Sequence, residues 1–133
     1  MEHEEREKWL LAGRIGKEVR EYGIKLARPG ESLLSIAKEL EKKTKELGGI
    51  PAFPPNLSVN SVAAHYTPKV SDETVLKEGD VLKIDVGACV DGFLSDTAST
   101  LIVGKNDDRL VRSSKEALEK AINSIKPGKP VLF

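Results

Sequence analysis

An Asp-Gly pair between two apolar, β-prone runs constrains this chain more than any other feature. It sits inside Lys83-Ile84-Asp85-Val86-Gly87-Ala88-Cys89-Val90-Asp91-Gly92-Phe93-Leu94-Ser95-Asp96-Thr97. A two-residue type I′ turn needs positive φ at both central positions, and Asp-Gly tolerates that. The stretch therefore reads as a hairpin in which Val90 faces Phe93 and Asp85 faces Ala98. Strand side chains alternate between faces, so Asp85 and Asp96 become diagonal neighbours on one face, with Gly87 and Ala98. The opposite face of the first strand carries Leu82, Ile84, Val86, Ala88 and Val90. It is apolar throughout and is expected to lie against helices.

Two carboxylates on the small-residue side of a buried hairpin require compensation. Like charges repel, and an unpaired buried carboxylate is costly. Hard divalent cations prefer oxygen ligands, and bridging carboxylates hold the ions of two-metal hydrolytic sites. A second reading is local: one Asp bonds a turn amide and the other a neighbouring Lys. The spacing alone leaves both open.

The rest of the chain frames this hairpin. Its 133 residues allow one domain with a core of ordinary size. Lys plus Arg equals Asp plus Glu at 21 each, so no nucleic-acid footprint is visible at the level of the whole chain. Cys89 is the single cysteine, which points to a reducing cytoplasm and to a small buried thiol. No run is long and apolar enough for a membrane span, and the first residues are too charged for a signal peptide.

Residues 3–27 read as an amphipathic helix with Trp9, Ala12, Ile15, Val19, Tyr22 and Leu26 as its stripe. Arg28-Pro29-Gly30 stops it. Ser32 caps a second helix to about Leu47, striped by Leu33, Ile36, Ala37, Leu40 and Leu47, and Gly48-Gly49 ends it. Residues 50–70 are too rich in proline and polar residues for a helix, with room for a short edge strand at Leu57 to Val59. His65 closes this irregular segment just before the hairpin. It is either a structural residue or a group that handles protons near neutral pH. The second hairpin strand runs on to Val103. Asn106 or Asp107 then caps a helix over about 108–125, with Leu110, Val111, Leu118, Ala121, Ile122 and Ile125 apolar. After Lys126-Pro127-Gly128 the residues given end on Val131-Leu132-Phe133, as expected of a chain cut in mid-domain.

Several ordered motifs carry a family resemblance. They are Pro51-Ala52-Phe53-Pro54, Asn56-Leu57-Ser58, Ala63-Ala64-His65-Tyr66-Thr67-Pro68, Leu76-Lys77-Glu78-Gly79-Asp80, Lys83 through Gly87, Asp91-Gly92-Phe93 and Asp96-Thr97. Together they resemble the methionine aminopeptidases of type II, in their archaeal form, from the first helix to about Gly128. The Ala-Ala-His-Tyr-Thr-Pro run separates this type from type I enzymes and from prolidase-like relatives.

The resemblance implies an α/β (α+β) chain that forms the first half of a pita-bread (creatinase/aminopeptidase) fold, an antiparallel sheet with helices on one face. Residues 1–133 would be the N-terminal part of a metallopeptidase domain whose C-terminal half is absent. It implies a hydrolase that removes initiator methionine from nascent proteins with two divalent ions, cobalt, manganese, iron or zinc. Asp85 and Asp96 fall on metal-ligand positions. His65 falls on the histidine that touches the scissile amide and helps bind substrate. Phe53 and Asn56 fall in the segment that lines the methionine pocket. The expected partner is a peptide or nascent-protein N-terminus bearing Met, with neither nucleic acid nor membrane. The family's other ligands, one His and two Glu, have no counterpart here, so the chain alone is expected to be inactive and to self-associate through an exposed sheet edge. The competing expectations are a non-catalytic protein-binding module derived from the same fold and a purely structural fragment.

Overall fold

Helices and strands form where local signals dictate. The computed structural model describes residues 2–105 and 108–130. Helix α1 spans His3–Leu26, and its first turn is closed by the Glu5 carboxylate, which accepts from the Glu2 amide at 2.9 Å. Ala12, Ile15, Gly16, Val19 and Gly23 make its buried stripe, while Tyr22 and Leu26 are half-buried. Trp9, expected in that stripe, is 53% exposed. It caps the hairpin tip, its ring edge-on to Phe93 at 6.3 Å between centroids. Helix α2 spans Leu33–Glu46, with Ser32 Oγ accepting from Ser35 N at 3.1 Å and Leu33, Ile36, Ala37 and Leu40 buried. Gly48 follows at φ +88°, the left-handed geometry that ends a helix.

The strands are β1 (Ile50–Pro51), β2 (Asn56–Val59), β3 (Val81–Val86), β4 (Ala88–Val90), β5 (Phe93–Leu94) and β6 (Thr97–Ile102). They form two antiparallel three-stranded sheets, ordered β1-β4-β5 and β2-β3-β6. The hairpin register matches the sequence reading: Val90 faces Phe93 and Asp85 faces Ala98. Asp91 and Gly92 both have positive φ, 49° and 88°, as a type I′ turn requires. Each expected strand is nevertheless broken in two. Between them the Ser95 hydroxyl, rather than a backbone carbonyl, accepts from Ala88 N at 3.1 Å, while the Gly87 carbonyl turns away to Ala52 N at 3.0 Å. One continuous ladder thus becomes two sheets.

Leu82, Ile84, Val86, Ala88 and Val90 are all buried, as their alternation predicts. Helix α1 packs across β3 to β6, and α2 packs on α1, β1 and β2, so the core lies between these helices and one sheet face. Cys89 falls on the other side of β4 and is half-buried rather than fully enclosed.

Helix α3 spans Arg109–Ser124. Its cap is Asp108, whose carboxylate accepts from Leu110 N at 2.8 Å and Val111 N at 3.3 Å. Asn106 and Asp107, the caps expected from the sequence, lie outside the described residues, as does Val131-Leu132-Phe133. None of the described α3 residues is buried, and its apolar stripe at Leu110, Leu118 and Ile122 faces solvent.

Candidate active site

Asp85 lies in the middle of β3, paired with Ala98 on one side and Asn56 on the other. Asp96 lies in the interruption between β5 and β6, one step along the same face. The pair therefore comes together as the alternation predicts. Asp85 Oδ1 is shut off from solvent and has no hydrogen-bond partner among the described residues. Burial pushes the Asp85 carboxyl up, and the neighbouring Asp96 carboxylate pushes it further; the Asn56 side chain and the His65 ring pull more weakly in the other direction. The arrangement suits a pair that meets a cation. No group of three or more His, Cys, Asp or Glu side chains placed to hold a metal occurs among the described residues. Asp85 and Asp96 thus stand as a pair of carboxylates with no third such side chain grouped with them among the described residues.

His65 sits at φ +61°, a left-handed conformation that a side chain with a Cβ adopts at a cost. It is exposed at the mouth of a cavity of about 160 Å³, which Ser58, Lys83, Asp85, Ala98 and Thr100 also line. The structure thus brings His65 and Asp85 to one concavity. Larger clefts of about 290 and 200 Å³ lie between β6 and α3, lined by residues such as Val111 and Lys115, and the second of them shares Ala98, Ser99 and Thr100 with the Asp85 cavity.

Asn56 stands beside Asp85 as its partner across the β2–β3 ladder, and Phe53 reaches the adjoining Gly87. Asn56 is oriented by Thr67, whose hydroxyl donates to its Oδ1 at 2.8 Å. Phe53 lies over Gly87: a Cβ there would stand 2.6 Å from Phe53 Cε1, inside contact distance. Glycine at 87 lets the ring rest against the backbone between the two aspartates. Phe53 thus stands at Gly87, just past the end of β3, while Asp85, Lys83 and His65 line one cavity.

Some contributors were not singled out from the sequence. Lys83 and Thr100 follow from the same alternation that places Asp85 and Ala98, so their spacing could have revealed them. Arg20 could not be found that way. It reaches from α1 to donate to Thr97 Oγ1, beside Asp96, with its Nε shut off from solvent and unpartnered among the described residues.

The model of metallopeptidase family M24 matches residues 7–131. The chain is 56% identical over 122 residues to a methionine aminopeptidase of Pyrococcus horikoshii, covering 92% of this chain and 41% of that protein. It is 53% identical over 125 residues to a methionine aminopeptidase of Thermococcus onnurineus, covering 94% of this chain and 42% of that protein. The chain thus spans about two-fifths of the length of these relatives. Among solved structures, a methionine aminopeptidase of Thermotoga maritima superposes with a TM-score of 0.88 at 36% identity, over 96% of this chain and 55% of that one. The two small antiparallel sheets with their helices are half of a pita-bread fold.

Proposed function

This chain belongs to metallopeptidase family M24, and on that premise we propose that it is the N-terminal part of a dimetal methionine aminopeptidase, carrying the first two metal ligands, the amide-contacting histidine and one wall of the methionine pocket. The observation that carries the proposal is Asp85. A partly buried carboxylate with one unpartnered oxygen, set beside a second carboxylate, is costly unless a cation meets it. In this reading Asp85 and Asp96 hold the ions together with ligands from outside these 133 residues.

A pair of divalent ions held there would supply Lewis-acid chemistry, activating a water and polarising the scissile carbonyl. The chain's own residues do the rest. Phe53 offers an apolar ring beside the carboxylates for the methionine side chain. Asn56, fixed by Thr67, keeps an amide next to Asp85. His65 points a hydrogen-bonding ring at the same concavity, where it contacts the scissile amide as charge develops on it. A nascent chain with an N-terminal Met is the substrate, met in the cytoplasm, where the lone thiol of Cys89 stays reduced. The 133 residues alone do not catalyse the reaction.

Calorimetric titration of the chain with Mn²⁺ or Co²⁺ tests the metal assignment. Weak binding, lost in the Asp85→Asn, Asp96→Asn double variant, is the expected result. Binding that survives unchanged in that variant would overturn it.

A further inference from the structure

We infer that Asp72 is a positioning residue for His65, acting through the Tyr66 hydroxyl to hold the histidine segment at the mouth of the Asp85 cavity. His65 is exposed, lies in an irregular segment and has a left-handed backbone. Such a conformation persists only where its surroundings over-determine it. The surroundings here act on the next residue. Tyr66 O accepts from Leu57 N at 2.7 Å, and Tyr66 N donates to the buried Ser58 Oγ at 3.3 Å. These bonds tie the segment to β2 but leave its outer side open. The Tyr66 hydroxyl closes that side by donating to Asp72 Oδ2 at 2.5 Å.

Asp72 is itself mounted on the core. Its Oδ1 accepts from Thr74 N at 2.8 Å, and Thr74 O accepts from Leu33 N at 3.0 Å, at the start of α2. The next residue, Val75, bridges to Ser32, the α2 cap. A short path of bonds thus runs from a core helix through Thr74, Asp72 and Tyr66 to His65. A charged acceptor is suited to the task, since bonds to an ionised carboxylate are roughly twice as strong as neutral ones. The carboxylate stays ionised. Burial would raise it, but the bonds from Tyr66 and Thr74 outweigh burial and hold it below its ordinary value.

The inference rests on the assignment of His65 to the scissile amide, and its test is chosen to fail separately from that assignment. The sequence contains two histidines, and His3, exposed at the start of α1, serves as an internal reference. With ¹³C-labelled histidine, the ring Cε1–H resonance of each is followed by NMR in the 133-residue chain. The His65 resonance is expected to stand apart from that of His3. Asp72→Ala should move it toward the His3 position while the Leu82 and Ile84 amide signals keep their places. Asp72→Asn, which retains an acceptor oxygen, should restore the parent position, and Tyr66→Phe should reproduce Asp72→Ala. A His65 resonance unmoved by Asp72→Ala in a folded chain overturns the inference. Should Asp72→Ala unfold the chain, Tyr66→Phe decides in the same way. Because no catalysis is read, failure here leaves the role of His65 standing; that role falls only to an unchanged kcat in His65→Ala.

Discussion

Gly87 has no room for a side chain, because a methyl group there would press on the Ser95 carbonyl and on the Phe53 ring. Gly87→Ala should therefore destabilise the chain by about 1–3 kcal/mol, the usual cost of overpacking, and displace Phe53. Urea unfolding checks this, and an unchanged midpoint would contradict it. At Asp85 the expectation is reversed. Removing a charge that faces Asp96 with an unpartnered oxygen should stabilise the metal-free chain, so Asp85→Asn should raise the melting temperature in chelator. The same substitution should erase the stabilisation that Mn²⁺ gives the parent. Thermal melts with and without metal compare the two. For His65, Ala substitution in an active enzyme containing this chain should lower kcat by roughly 10²–10³-fold with KM little changed, the scale for losing one transition-state donor. At this scale the sequence was legible wherever the chemistry is local. The period-2 alternation and the Asp-Gly turn sufficed to put Asp85 and Asp96 on one face. The left-handed backbone of His65 and its tether to Asp72 depend on contacts with β2 and α2, and nothing in the Ala-Ala-His-Tyr-Thr-Pro run announces them.

The elements are stitched together at a few points, and one of them pins the two ends of the long connection from β2 to β3 together at Asn60 and Asp80. Asn60, at φ +54°, donates through Nδ2 to Asp80 Oδ1 at 2.9 Å and accepts at Oδ1 from Val81 N at 2.9 Å. Asp80 Oδ2 also accepts from Lys77 N at 2.8 Å. The Asn60 bond first, then the Lys77 amide, hold the Asp80 carboxyl below its ordinary value of 3.8. A carboxylate with a depressed folded-state pKa stabilises the fold above the unfolded pKa, and that contribution is lost as pH falls through the folded value. Asp80→Asn should therefore be less stable than the parent near neutral pH, and the gap should close as acid takes the parent below the ordinary carboxylate range. Melting curves across that range test the sign; a gap that widens in acid would contradict it. Helix limits were legible because caps are local: Ser32 and Gly48 mark the ends of α2. The break in the hairpin strands was not, because it comes from the Ser95 hydroxyl taking a position that a backbone carbonyl normally fills. Trp9 left its expected stripe because Phe93, across the hairpin tip, offers it an aromatic neighbour.

Across the whole molecule, one side is finished and the other is open. Helices α1 and α2 cover one face of the sheets, whereas α3 exposes Leu110 at 78%, Leu118 at 58% and Ile122 at 56%. Strand β6 stands at the edge of its sheet. Exposed strand edges and apolar stripes favour association. Sedimentation of the chain should therefore show concentration-dependent self-association that weakens in Ile122→Glu; a strictly monomeric chain at high concentration would contradict this. The central claim is that Asp85, Asp96 and His65 are working parts of a methionine aminopeptidase site that further chain completes. It is tested most directly by replacing the matching 122 residues of the Pyrococcus horikoshii methionine aminopeptidase with this chain and measuring methionine release from Met-Ala-Ser in the presence of Mn²⁺ or Co²⁺. The account predicts release by the chimera, none by the 133-residue chain alone, and loss of release in Asp85→Asn and Asp96→Asn chimeras. A folded chimera that keeps full activity after either aspartate is replaced would contradict it.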